Sequence, residues 1–295
     1  MPFYDIIKWN IGKNMDITTL IKEKLNSALG SYGVYYRNLV TDEEFEVLKG
    51  TDDDVFESAS IIKLWVMSAV YQAAEEGRLS LDQKIEIKQE DLVPGPGVPD
   101  YHKDQLEGCL TPDMFPESGI LNYLSPGLSL SIEDIIKLMI LISDNTAVNV
   151  LIDLLGKDEI NDHIRSLGST KTVLKRKLFE PVYGATDKEN LFSLKETGEY
   201  YSKMYRGELV SLKASKAMCA LLQNQQYTYK MPFFMRHVPI AHKTGEDQGI
   251  ENDCGIVFAP EPFVLCFASN EADEAQAIRL CQDIAKDIYD HVENK

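Results

Sequence analysis

Residues 60–76 read SIIKLWVMSAVYQAAEE. Apart from Ser60, Lys63, Ser68 and Gln72, the run is apolar as far as Ala74, and it is apolar nearly all round the helical wheel. That pattern predicts a helix buried on every side. Ser60 and Lys63 stand at its entrance, on one helical face about a turn apart. A serine at a helix N-terminus lies where unpaired backbone N–H groups favour developing negative charge. A lysine in apolar surroundings is pushed by desolvation towards its neutral, basic form. Ser60 is therefore a candidate nucleophile and Lys63 a candidate base. Alone the pair decides nothing, since S-x-x-K arises by chance about once in a chain this long.

Downstream, Ser131-Ile-Glu-Asp134 resembles a capping box, and IIKLMILI behind it predicts a second buried helix. Ser143-Asp144-Asn145 follows directly. Helical patterns continue over 147–155, 158–167, 194–205 and 212–223. Upstream, a helix over 17–29 stops at Gly30, and SYGVYYRNLV and EEFEVL form a hairpin around Thr41-Asp42. Beyond residue 223 the texture becomes β-rich, at 238–242, 255–259 and 263–269, broken by Gly, Pro and Asp-Asn turns. A helix over 272–289 closes the chain.

Strands at both ends of the chain most simply share one sheet. The expected class is α+β: an antiparallel β-sheet flanked by the terminal helices as an α-β-α sandwich, plus an all-helical lobe. The boundaries expected are a single domain over 16–295, with an α/β lobe of 16–56 and 222–295 and a helical lobe of 57–221. Five of the twelve prolines fall between Pro94 and Pro116, which excludes regular structure there. A loop that long is a functional lid or a tolerated surface insertion.

With 44% apolar and 26% charged residues over 295 positions, the chain can bury a core without staples or metals. Acidic residues outnumber basic ones by 47 to 30, giving a net charge of −17. Such a chain repels phosphate backbones and anionic membranes, so neither nucleic acid nor membrane is an expected partner. Cys109, Cys219, Cys254, Cys266 and Cys281 lie far apart, with no C-x-x-C, and the five histidines are scattered. No metal, cofactor or disulfide framework is expected. The opening MPFYDIIKWNIGKNM has no signal-peptide pattern. A monomer acting on a small molecule is expected, cytoplasmic as the sequence stands and secreted if a leader precedes it.

Lys243-Thr244-Gly245 follows the strand-like VPIAH. A polar triplet after a helix is ordinarily a cap and a turn, and Lys-Thr-Gly alone is any strand end. S-x-x-K, S-D-N and K-T-G in that order are together the signature of class A β-lactamases and penicillin-binding proteins. The flanks VPGPG…SGILNYLSPG, IEDIIKLMILISDNTAVNVLIDLLG and AHKTGEDQG also resemble class A serine β-lactamases and their hydrolase relatives. The likeness runs from about Asp16 into the C-terminal helix.

The resemblance implies a serine acyl hydrolase that opens a β-lactam amide through an acyl-enzyme on Ser60. Lys63 would be base or proton relay, and Ser143 would pass a proton to the leaving nitrogen beside Lys243. Asn145 would bind the substrate's amide side chain, and Lys243 and Thr244 its carboxylate. The oxyanion hole would use the N–H groups of Ser60 and of Glu246, the residue after Gly245, each worth about 3–4 kcal/mol. Asp144 would be structural.

Three stretches depart from the family pattern. The loop expected to carry E-x-x-L-N reads Glu180-Pro181-Val-Tyr183-Gly184. Glu180 is either the base that activates the deacylating water or an exposed loop carboxylate. Glu251 stands where an arginine is expected to help hold the substrate carboxylate; it would repel an anion if it faced the pocket, or else it faces solvent. Residues 97–118 look inserted into a P-G-x-G-I-L segment, and by similarity border the site entrance. The alternatives these leave are a peptidase or esterase on a non-lactam substrate, and a penicillin-binding sensor domain that acylates without efficient turnover.

Overall fold

A computed structural model describes residues 16–93, 119–179 and 189–294. The inserted stretch 97–118 and Glu180 lie outside them. Helix α1 (Ile17–Asn26) leads into β1 (Ser31–Asn38) and β2 (Glu44–Lys49), the hairpin expected from sequence. The short β3 (Val55–Glu57) precedes α2 (Lys63–Glu75) and β4 (Lys84–Ile87). Next come β5 (Leu128–Ser131), α3 (Ile132–Leu141), α4 (Asn145–Leu155), α5 (Lys157–Ser166) and β6 (Leu191–Ser193). Two more helices, α6 (Leu194–Arg206) and α7 (Leu212–Leu222), lead to β7 (Ile240–Asp247), β8 (Ile250–Val257) and β9 (Phe263–Asn270). Helix α8 (Glu274–Glu293) is last.

Five strands form one antiparallel sheet in the order β2-β1-β9-β8-β7, so both ends of the chain do share a sheet. The period of two along the strands sorts its faces. Tyr32, Val34 and Tyr36 of β1 and Phe263, Leu265 and Phe267 of β9 pack with Ile17, Ile21 and Leu25 of α1 and Cys281, Ile284 and Ile288 of α8. The alternate residues Tyr35, Val264, Cys266 and Ala268 join the larger core, built around α2. Nine side chains of α2 are buried, which is why its sequence shows no polar stripe. Tyr200 Oη donates to Leu64 O at 2.6 Å and its ring lies 5.3 Å from that of Trp65, fastening α6 to α2.

Several boundaries differ from the sequence expectation. The helix expected from Ser60 begins at Lys63; residues Ala59–Ile62 form a 3₁₀ turn. Ala59 has a φ of 41°, and Ile61 N–H bonds to Ser58 O at 2.9 Å, closing the tighter turn. Asn252-Asp253 is not a turn but part of β8, all of whose residues are buried. Its polar side chains are satisfied there: Asn252 Nδ2 donates to Glu57 O at 3.0 Å, and Asp253 pairs with His242 at 2.8 Å. The strand expected to end at His242 runs on through Lys243-Thr244-Gly245 to Asp247. In the Ser131 cap, Ser131 Oγ accepts from Asp134 N, but the Asp134 carboxylate takes the serine hydroxyl instead of a backbone N–H, so half of the expected box forms. The helical middle also carries two ribbons, β3 with β6 and β4 with β5. No helix among the described residues is long and apolar enough to cross a membrane.

Candidate active site

The seam between sheet and helices gathers the three motifs. Lys63 Nζ, wholly buried at the start of α2, has four oxygen neighbours. Ser60 Oγ lies at 2.8 Å, Ser143 O at 2.7 Å, Asn145 Oδ1 at 2.8 Å and Ser143 Oγ at 3.1 Å. Two of these, a backbone carbonyl and an amide carbonyl, only accept. A neutral amine has two N–H groups for them and a lone pair left for a serine hydroxyl. Burial, reinforced by the charge of Lys243, pushes the Lys63 ammonium well below its ordinary value, so the neutral form is the one this environment favours.

Ser143 stands between α3 and α4 with a φ of 57°, a backbone conformation that non-glycine residues rarely hold. Its hydroxyl lies 2.9 Å from Lys243 Nζ, which also donates to Thr244 O at 2.8 Å. The sequence motif thus ends one helix and opens the next. Asp144 caps α4 by accepting from Ala147 N at 2.8 Å. Its other oxygen accepts from Ile120 N at 2.7 Å and Leu121 N at 2.9 Å. Asp144 is a fastening, as expected; Asn145, whose Oδ1 is engaged by Lys63, is the first residue of α4.

Strand β7 closes the seam. A methyl group at Gly245 would stand 2.8 Å from Ser58 O and 3.1 Å from Ser60 N, so only glycine lets the strand come this near the Ser60 turn. Glu246, next along, therefore sits beside the same turn. Thr244 Oγ1 is buried and has no hydrogen-bond partner among the described residues. Burial lowers Lys243 to about 8, Glu246 opposing that shift and Lys230 adding to it.

Residues 16–292 match the sequence model of the beta-lactamase enzyme family. The chain belongs to that family. Beta-lactamase VEB-1 of Pseudomonas aeruginosa is 24% identical over 314 residues, covering 99% of this chain and 95% of that one. The structure of a β-lactamase from Sphaerobacter thermophilus superposes with a TM-score of 0.79 at 26% identity, over 95% of this chain and 99% of that chain. A point mutant of PBP-A, solved as an acyl-enzyme complex with penicillin G, shares the fold with a TM-score of 0.78 at 23% identity, over 95% and 97% of the two chains. The fold is that of the serine β-lactamases, and the protein is a β-lactamase-like hydrolase of amide bonds.

Against that family background Glu251 does not face solvent. It is buried, and pairs with Lys230 at 2.5 Å; Lys230 also pairs with Glu246 at 2.8 Å. Sequence reading missed Lys230. The available signal was the one that marked Lys63, a lysine among aromatic and apolar neighbours, here in YTYKMPFF. Two further anchors were also missed. Asp253 accepts from Met231 N at 3.0 Å, fixing the segment that carries Lys230. Tyr227 Oη donates to Ile142 O at 3.0 Å beside Ser143.

Proposed function

We propose that the chain is a class A-type serine β-lactamase, acting as one catalytic domain with Ser60 as its nucleophile. The observation that carries this is the buried Lys63 amine, 2.8 Å from Ser60 Oγ and shared with Ser143 and Asn145. Neutral Lys63 takes the Ser60 proton as Oγ attacks the lactam carbonyl. The N–H groups of Ser60 and Glu246 receive the oxyanion as it develops. As the C–N bond breaks, Ser143 gives its hydroxyl proton to the leaving nitrogen and is reprotonated by Lys63, which returns to neutrality. Asn145, Lys243, Thr244 and Gly245 line the bound substrate. Water then attacks the Ser60 ester, with Glu180 taking its proton; as the acyl C–O bond breaks, that proton passes to Ser60 Oγ.

The test is a time course of intact mass after mixing with benzylpenicillin and then with a cephalosporin. A transient adduct, hydrolysed product and no adduct in Ser60→Ala are expected. An adduct surviving in Ser60→Ala overturns the nucleophile assignment. A lasting adduct in the parent protein would make it a penicillin-binding sensor, the reading favoured by Tyr183-Gly184 standing in place of Leu-Asn. Glu180→Gln is expected to trap the adduct, slowing deacylation and sparing acylation; unchanged turnover removes Glu180 from the mechanism.

A further inference from the structure

Asn252 stands directly opposite Gly245 in the β7–β8 register. That register runs on to Asp247 opposite Ile250, whereas the pairing of β8 with β9 ends at Asp253 opposite Phe267. Beside the Ser60 turn, β8 has therefore left the β9 ladder, and side chains tie it down instead. Ser269 Oγ accepts from Glu251 N at 2.9 Å, and Ser269 N donates to Asn252 Oδ1 at 3.1 Å. Lys230 Nζ donates to Asn252 O at 3.0 Å and, more weakly, to Gly245 O at 3.4 Å, holding both members of the cross-strand pair.

The other end of the Asn252 amide is turned to the Ser60 turn. Its Nδ2 donates to Glu57 O at 3.0 Å and to Ser58 O at 3.4 Å, so two N–H groups meet two carbonyls. This partner set admits one orientation of the amide only. Asn252 and Ser58 are both wholly buried, so no solvent stands ready to replace these bonds. Ser58 O also accepts from Ile61 N at 2.9 Å, the bond that closes the 3₁₀ turn. Within that turn Ala59 holds a φ of 41°, strain that persists only where the surroundings over-determine it. Gly245 leaves the approach open: a methyl group there would stand 2.8 Å from Ser58 O, the oxygen that the amide reaches. One side chain thus joins the Ser60 turn to β8 and β9, opposite the residue that precedes Glu246.

We infer that Asn252 is a positioning residue for acyl transfer, setting the N–H of Ser60 against the N–H of Glu246 without touching the substrate. The inference rests on the acyl-transfer reading above, in which those two groups receive the oxyanion. Such donors work only if already in place, and a misplacement of about 1 Å costs about 10²-fold in rate.

The test compares single-turnover acylation by benzylpenicillin and by its analogue with sulfur in place of the lactam carbonyl oxygen. Sulfur accepts hydrogen bonds weakly, so the analogue gains little from the two donors. Rates are taken from the adduct-forming fraction by intact mass, which keeps partial unfolding out of the ratio. The parent should acylate from the oxygen compound about tenfold or more faster. In Asn252→Ala that compound should slow by about 10²-fold and the analogue by about tenfold or less, so the ratio falls by about tenfold or more. Asn252→Asp keeps the shape and the acceptor for Ser269 N, with at most one donor for the two carbonyls. It should shift the ratio the same way, and it decides if the alanine protein does not fold. A merely structural role would slow both compounds alike. An unchanged ratio in either folded variant overturns the inference and leaves the acyl-transfer reading standing, as does a parent that acylates from both compounds at one rate. A parent that forms no adduct with either overturns that reading, and this inference with it.

Discussion

Lys63 and Lys243 place their amines 3.1 Å and 2.9 Å from one oxygen, Ser143 Oγ. Two ammonium groups so close in a buried seam cannot both keep their protons cheaply, and the structure divides the roles. Lys63 is driven well below its usual range by burial and by Lys243, while Lys243 stays near 8 because Glu246 offsets part of its burial. Pairs of titratable groups whose environments push them apart are how a site holds a base and a cation at one pH.

The rate of acylation should therefore be bell-shaped in pH. It rises as Lys63 loses its proton and falls above about 8 as Lys243 loses its own. Single-turnover acylation on either side of about pH 8 measures the alkaline limb. In Lys243→Arg, whose guanidinium stays protonated throughout, the alkaline limb should vanish. A limb that stays near its place in that variant belongs to another group. Lys63→Ala should lower the rate about 10²–10⁴-fold at every pH.

Gly245→Ala separates positioning from chemistry, since it removes no functional group. The added methyl would stand 2.8 Å from Ser58 O and 3.1 Å from Ser60 N, and both belong to backbone, which yields little. Strand β7 must then move off the Ser60 turn and carry the Glu246 N–H with it. Acylation should slow by about tenfold or more, for a stability loss of only about 1–3 kcal/mol. Acylation rates beside denaturant unfolding check the two; a stable variant with an unchanged rate would show that the contact does not position the site.

The contrast between Ser60 and Lys230 shows what the sequence made legible. Ser60, Lys63, Ser143, Asn145 and Lys243 come from three motifs spread over 184 residues, from 60 to 243. They were readable because each motif lies in one local context: a buried helix start, a helix junction, a strand. The sheet was readable from strand-like runs at both chain ends. Lys230 was not, because its meaning comes from two glutamates brought together only by the pairing of β7 with β8. Nor was the strand identity of Asn252-Asp253, two residues that favour turns until Glu57 O, His242 and Met231 N satisfy them. Local chemistry is visible in a sequence; cross-strand compensation waits for the register.

Asp144→Ala tests the fastening at the helix junction. It removes the α4 cap, worth about 1 kcal/mol, and strips the acceptor from Ile120 N and from Leu121 N, the latter on a buried residue. Each orphaned amide costs about 1–3 kcal/mol where it is shielded from water. A total loss of about 2–4 kcal/mol is expected in denaturant unfolding. Asp144→Asn keeps one acceptor oxygen and should recover the cap or the Ile120–Leu121 contacts, but not both. Equal stability of the Ala and parent proteins would rule out the fastening.

Acid stability turns on His163, far from the chemistry. Its ring is buried on α5, with Nε2 2.9 Å from Ser68 Oγ on α2, and burial lowers it from 6.5 to about 4. The unfolded chain then binds a proton between those two values that the folded chain refuses, so stability falls as pH drops from about 6.5 to about 4 and levels off below. The full loss from this one group is about 3 kcal/mol. His163→Gln keeps a partner for Ser68 without a titrating ring. Its unfolding free energy should lack that share of the decline across the same window, while matching the parent's slope above pH 6.5. If the two profiles fall in parallel between pH 6.5 and 4, His163 is already protonated in the folded protein and its burial is not what limits acid stability.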